Sequence, residues 1–246
     1  MEIIATNIKI THYKETQLIT LIFLHGSGCN RVVWEYQQLH FDNCLALSFP
    51  GHPEGNELTS VSQMARWLVS YIEDRNLQDV VLIGHSLGSA VAMQVALLNI
   101  IDIKGLVLIG TGARLKVMTQ LLDSLSAIVD QGRDVPVYLL SANQLILDPL
   151  RTKINSSIRH NGPRVMLNDF YACDKFDVID YLTEITIPVH IIVGDKDEMT
   201  PLKYAVYLQD HLPKAEVTII EGGTHMVFAE QPDLVNNIIK NFLANL

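Results

Sequence analysis

An α/β domain with a mostly parallel central sheet and helices on both faces is predicted by three observations. Short runs are apolar throughout, they alternate with helical patterns, and one Gly-x-Ser-x-Gly turn joins such a run to such a helix. A strand with one wet face alternates apolar and polar residues; Val80-Val81-Leu82-Ile83 does not, so both of its faces are expected to be covered.

In chain order, extended segments near Ile3 and over residues 8–13, parted by the turn-prone pair Thr6-Asn7, lead into the apolar run 18–24 and read as an antiparallel start to the sheet. Residues 31–39 read as a short helix, 44–49 as a strand and 59–75 as a helix capped by Thr59 or Ser60. The strand 80–83 and the alanine-rich helix 89–99 flank Ser86. Further strands are expected over 105–109, 189–193 and 217–220, each followed by a loop and a helix.

Residues 114–180 break the alternation. Helical patterns over 118–129, 136–147, 149–159 and 163–172, punctuated by Gly132, Pro136, Pro149, Gly162 and Pro163, contain no convincing strand. The expectation is a core domain over 1–113 and 181–246, with a small helical cap insertion over 114–180 acting as a lid on the carboxyl ends of the strands.

A chain of 246 residues that is 48% hydrophobic can bury a large core without disulfides. Its formal charge of −9, with no cluster of Lys and Arg, argues against a nucleic-acid partner. Cys29, Cys44 and Cys173 are odd in number and widely spaced, which predicts reduced cysteines and neither a disulfide framework nor a metal site. The start of the chain lacks a signal-peptide pattern and no apolar run would span a bilayer, so a cytoplasmic protein is expected and Asn155-Ser156-Ser157 is given no weight as a glycosylation acceptor.

The chemistry centres on Gly84-His85-Ser86-Leu87-Gly88. A serine at so sharp a strand-to-helix turn projects its hydroxyl outward, and glycines two residues before and after it let strand and helix approach. The helix start directs free amides to the same spot, so Leu87 is a candidate oxyanion donor. A serine hydroxyl needs a base and an acid to orient that base. His225, in Gly222-Gly223-Thr224-His225 just past the last strand, is the candidate base; His85 is locked in the turn, and His12, His40, His160, His190 and His211 read as structural. Asp197, mid-loop after the strand 189–193, is the candidate acid, with Asp195 as a turn former and Glu198 as a solvated helix-start acid. Ser27, between Gly26 and Gly28, is the second candidate oxyanion donor; the missing third glycine of Gly-x-Gly-x-x-Gly removes a dinucleotide reading.

These motifs, with Pro50-Gly51-His52 and the chain order serine, acid, histidine, resemble the α/β-hydrolase fold superfamily, in particular its capped esterase-like members. The resemblance spans essentially the whole chain. It implies an α/β-hydrolase fold and a serine hydrolase cleaving a small-molecule carboxylic ester through an acyl-enzyme, with no cofactor. Two departures stand out: Ser48-Phe49-Pro50-Gly51-His52-Pro53 lacks the acid the family commonly carries before this loop, and the insertion is short for a full cap. Trp34, Tyr138, Leu145, Phe170, Tyr171, Met226 and Val227 are read either as apolar pocket lining or as core. Rival readings on the same residues are a carbon–carbon or thioester hydrolase, or a cofactor-free lyase or perhydrolase, for which Arg31, Arg114 or Arg164 would engage a carboxylated substrate. A non-catalytic ligand-binding protein is a third. The oligomeric state is left open.

Overall fold

The computed structural model describes residues 19–246, so the extended segments expected near Ile3 and over 8–13, with His12, lie outside the described residues. Six strands follow in order: β1 (Thr20–Leu24), β2 (Cys44–Leu47), β3 (Val80–His85), β4 (Ile103–Ile109), β5 (Val189–Gly194) and β6 (Ala215–Ile220). They form one sheet in the order β2-β1-β3-β4-β5-β6, and every pairing is parallel. The carboxyl ends of all six strands therefore share one edge.

Alternation of side chains across the pleat explains the unbroken apolar runs. Ile22, Leu24, Leu82, Leu106 and Leu108 enter one buried cluster, whereas Leu21, Phe23, Val81, Ile83, Val107 and Ile109 enter another on the opposite face. Helices α2 (Val61–Asp74), α3 (Leu87–Leu98) and α6 (Leu202–His211) pack into the first; α1 (Glu35–His40) and α8 (Pro232–Ala244) lie with the second. In α2 the buried residues Val61, Met64, Ala65, Leu68, Val69 and Ile72 recur at helical spacing, and Ser60 caps the helix by accepting from the Gln63 amide at 3.2 Å. Helix α3 is buried nearly all round and begins immediately after Ser86.

Between β4 and β5 the chain adds no strand to the sheet. It forms α4 (Thr119–Asp130), a 3-10 turn Val137–Asn143, α5 (Leu150–Asp174) and a second 3-10 turn Ile179–Glu184. Gly162 (φ 83°) followed by Pro163 breaks α5 into two helices, where the two patterns 149–159 and 163–172 are separated in the sequence. Leu122, Leu125, Ile154 and Ile158 join the second cluster, while Ala172, Cys173 and Phe176 join the first. The segment therefore passes from one side of the sheet to the other. The short helix α7 (Val227–Glu230) precedes α8. All three cysteines are free, and among the described residues no helix is long and apolar enough to cross a membrane.

Candidate active site

Ser86 sits at φ 53°, ψ −114°, a conformation that costs energy for any residue with a Cβ and persists only where the surroundings impose it. The imposition is visible. Its amide donates to the Ile109 carbonyl at 2.9 Å, and its carbonyl accepts from the Ser89 and Ala90 amides. A Cβ on Gly84 would lie 2.4 Å from the Gly88 carbonyl oxygen, and one on Gly88 would lie 2.2 Å from the Leu24 carbonyl oxygen. Strand and helix thus meet backbone to backbone. Leu87 opens α3, so its amide has no acceptor within the helix.

Across the carboxyl edge, His225 Nδ1 lies 2.9 Å from Asp197 Oδ2 and 3.3 Å from Thr200 Oγ1. Asp197 is 5% exposed and His225 6%. The carboxylate is fully engaged: Oδ1 accepts the amides of Met199 and Thr200, each at 2.9 Å, and Oδ2 accepts the Thr200 hydroxyl at 2.7 Å besides the imidazole. Burial pushes the Asp197 carboxyl upward, but the hydrogen bond and charge of His225 and the Thr200 donors outweigh it and hold the group below its ordinary range. With Nδ1–H given to Asp197, the ring lone pair remains on Nε2. Asp195 instead accepts the Gly222 amide at 2.7 Å, and Glu198 is exposed at the cavity mouth.

His85 does more than occupy the turn. Its Nε2 lies 3.0 Å from the His225 carbonyl and its ring 4.7 Å from the His225 ring. Burial, reinforced by the adjacent His225, holds it well below 6.5, so it is a neutral N–H donor that braces the histidine loop.

Ser86, His225 and Ser27 line one cavity of about 450 Å³ whose walls include Leu115, Val117, Met118, Leu121, Phe170 and Tyr204. Among the described residues the Ser86 hydroxyl makes no hydrogen bond, to His225 or to any other group. A larger cavity, about 650 Å³, lies at the amino ends of β5 and β6 around Pro188, His190 and Phe242. There His190 lies 2.9 Å from the Thr218 hydroxyl, but Thr218 sits inside β6 rather than at a strand-to-helix turn, and the Glu216 carboxylate, 3.9 Å from Nδ1, is exposed and beyond hydrogen-bond reach.

Of the seven residues read as lining or core, only Phe170 lines the cavity that Ser86 and His225 share. Trp34 is fully buried, its ring 5.0 Å from Phe23 and 4.2 Å from Phe228, and belongs to the core. Met226 and Val227 are buried in the same cluster, because α7 turns them under the sheet edge. Tyr138 (with its hydroxyl 3.0 Å from Ser124 Oγ), Leu145 and Tyr171 are exposed on the outer surface of the helical segment. Arg31, Arg114 and Arg164 do not line the cavity either, and Arg114 faces Asp177 at 3.6 Å.

The oxyanion-candidate loop approaches Ser86 closely: a Cβ on Gly26 would lie 3.3 Å from Ser86 Cβ. Beside it lies a polar cluster the sequence did not reveal. His52 Nε2 contacts Asp169 Oδ2 at 2.9 Å, and its Nδ1 contacts the Phe49 carbonyl at 3.1 Å. Both partners are acceptors, which requires an imidazolium. Burial alone lowers this group, yet the hydrogen bond and charge of Asp169, with the Phe49 and Pro50 carbonyls, raise it above 6.5. The stabilisation is therefore complete below 6.5 and is lost as pH climbs through the raised native value. The melting-temperature gap between the parent and His52→Gln is expected to be widest in mild acid and to shrink as pH rises; a gap that grows with pH would contradict the charged pairing. The neighbouring His25, ring 4.8 Å away, is held well below 6.5 by burial and by His52, and stays neutral. The signal for Asp169 was available: it falls at helical spacing among Val165, Met166 and Cys173, an acid on an apolar face.

Residues 21–238 match the family model described as the Alpha/beta hydrolase family. The pimeloyl-[acyl-carrier protein] methyl ester esterase of Pseudoalteromonas atlantica is 25% identical over 90% of this chain and 93% of its own length. A lipase-esterase related protein from Clostridium acetobutylicum is 29% identical with a TM-score of 0.80, covering 91% of this chain and 93% of that one. A thermophilic esterase is also 29% identical, with a TM-score of 0.78 and coverage of 93% and 91%. The six-stranded parallel sheet, the strained serine at its centre and the family match over nearly all of the described chain agree: this chain belongs to the alpha/beta hydrolase family.

Proposed function

We propose that the protein is a carboxylic ester hydrolase with Ser86 as nucleophile, His225 as general base and Asp197 as the orienting acid. The observation that carries this reading is the joint placement of Ser86 and His225 on one cavity, with His225 Nδ1 committed to a saturated carboxylate. Nε2 takes the Ser86 proton as Oγ attacks the ester carbonyl, and the amides of Ser27 and Leu87 face the developing oxyanion. Collapse expels the alcohol, which takes the proton back from His225 and leaves an acyl-enzyme. Water, deprotonated by His225, then attacks the acyl carbonyl; the acid leaves as the proton returns to Ser86.

The helical segment between β4 and β5 serves as a lid in this reading, since Leu115, Val117, Leu121 and Phe170 form the apolar wall that receives the acyl group. The three arginines stand outside the cavity, and the lysine that lines it, Lys116, is engaged by the Asp174 carbonyl at 2.7 Å and carboxylate at 3.4 Å, which favours an uncharged ester over a carboxylated carbon–carbon substrate. The esterase names of the relatives support the same class. Hydrolysis of a p-nitrophenyl ester series tests it: kcat/KM is expected to be greatest for acetate to hexanoate and to fall steeply by palmitate, because the cavity is of modest size. A folded protein that hydrolyses none of them above the buffer rate would contradict the reading.

A further inference from the structure

The loop carrying Ser27 has few bonds of its own; inside it, the Cys29 amide donates to the Gly26 carbonyl at 3.2 Å. Three more of its backbone groups are held from α5, more than 130 residues further along. The Gly28 amide donates to Asp169 Oδ2 at 2.7 Å, and Asn161 Nδ2 donates to the carbonyls of Gly28 at 3.0 Å and Cys29 at 2.9 Å. Gly28 has φ +70°, and a Cβ there would lie 2.8 Å from Met166 Cε, so the loop lies directly against the helix. The Asp169 carboxylate is 1% exposed, spends Oδ2 on both Gly28 and His52, and leaves Oδ1 buried without a partner. A polar cluster of this kind is poorly suited to stability alone, since an apolar side chain of similar volume would avoid the desolvation cost.

From these contacts we infer that Asp169 is a positioning residue for the oxyanion hole: a carboxylate on α5, charge-paired with His52, fixes the Ser27–Gly28 peptide and thereby sets the direction of the Ser27 amide. The inference rests on the serine-hydrolase reading. Its chemical consequence is selective. An oxyanion donor acts on the transition state, so a misaimed one lowers kcat and leaves KM nearly unchanged.

The test compares parent, Ser86→Ala, Asp169→Leu, Asp169→Asn and Asn161→Ala on p-nitrophenyl butyrate, with circular dichroism confirming folding. Leucine fills the volume without an acceptor, and kcat is expected to fall about 10- to 100-fold with KM within about threefold, the rate of fluorophosphonate labelling falling in parallel. Asparagine keeps an acceptor oxygen for Gly28 and is expected to restore kcat to within about fivefold of the parent. Asn161→Ala frees the other side of the loop and is expected to lower kcat by about three- to tenfold. Parental kcat in folded Asp169→Leu, or a change confined to KM, overturns the assignment; if that variant does not fold, parental kcat in folded Asn161→Ala overturns it. A parent no faster than Ser86→Ala would instead sink the serine-hydrolase reading, and this assignment with it.

Discussion

Replacing Ser86 with alanine is expected to lower kcat for p-nitrophenyl butyrate by about 10⁶-fold, with KM within a few-fold of the parent. The size of the loss follows from the chemistry. Without Oγ there is no covalent route, and only oxyanion stabilisation and binding remain to assist direct attack by water. The fold should survive, because the bonds that hold residue 86 at φ 53° are all made by its backbone: the amide to Ile109 and the carbonyl to Ser89 and Ala90. An unchanged melting temperature beside the lost activity separates chemistry from unfolding. A folded Ser86→Ala retaining a tenth of the parental kcat would contradict the role given to this residue.

Asp197→Asn is expected to lower kcat by about 10⁴-fold. The surroundings dictate why so small a change is so costly. Oδ1 accepts two amides, Met199 and Thr200, at 2.9 Å each, so the asparagine oxygen must occupy that position. Its NH₂ is then forced toward His225 Nδ1, where it can only donate. Nδ1 must give up its hydrogen, the proton moves to Nε2, and the nitrogen that should accept the Ser86 proton no longer has a lone pair. Loss of negative charge beside the imidazolium adds to the barrier. The measurement is single-turnover hydrolysis near neutral pH; a loss below tenfold in a folded variant would show that Asp197 does not set the tautomer.

The parts of this account that the sequence disclosed are those whose geometry is local. Val80 to Ile83, the turn at Ser86 and the start of α3 lie within a short stretch, and two glycines record how closely their backbones pass. The meeting of Asp197 and His225 was legible because each follows a strand, and in a parallel sheet the strand ends share an edge. What lines a cavity was not legible. Trp34 reads equally as pocket lining or as core, and its place is decided by Phe228, nearly 200 residues away. Tyr138 and Leu145 fall in the helical pattern 136–147, but the chain forms only a 3-10 turn over Val137–Asn143 there, and both side chains face outward. His85 reads only as a residue locked in the turn, since its bond to the backbone carbonyl of residue 225 leaves no pattern in the sequence. Asp169 lies on a helix whose pairing with the loops at Gly28 and His52 depends on the whole segment folding back across the sheet edge.

The most direct test of the claim that His225, held by Asp197, activates Ser86 is reaction with a fluorophosphonate followed by intact-mass measurement and peptide mapping. One adduct per chain is predicted, on the peptide containing Ser86, with labelling slowed by orders of magnitude in His225→Ala. A folded, hydrolytically active protein that takes up no label, or takes it up on another residue, would contradict the account.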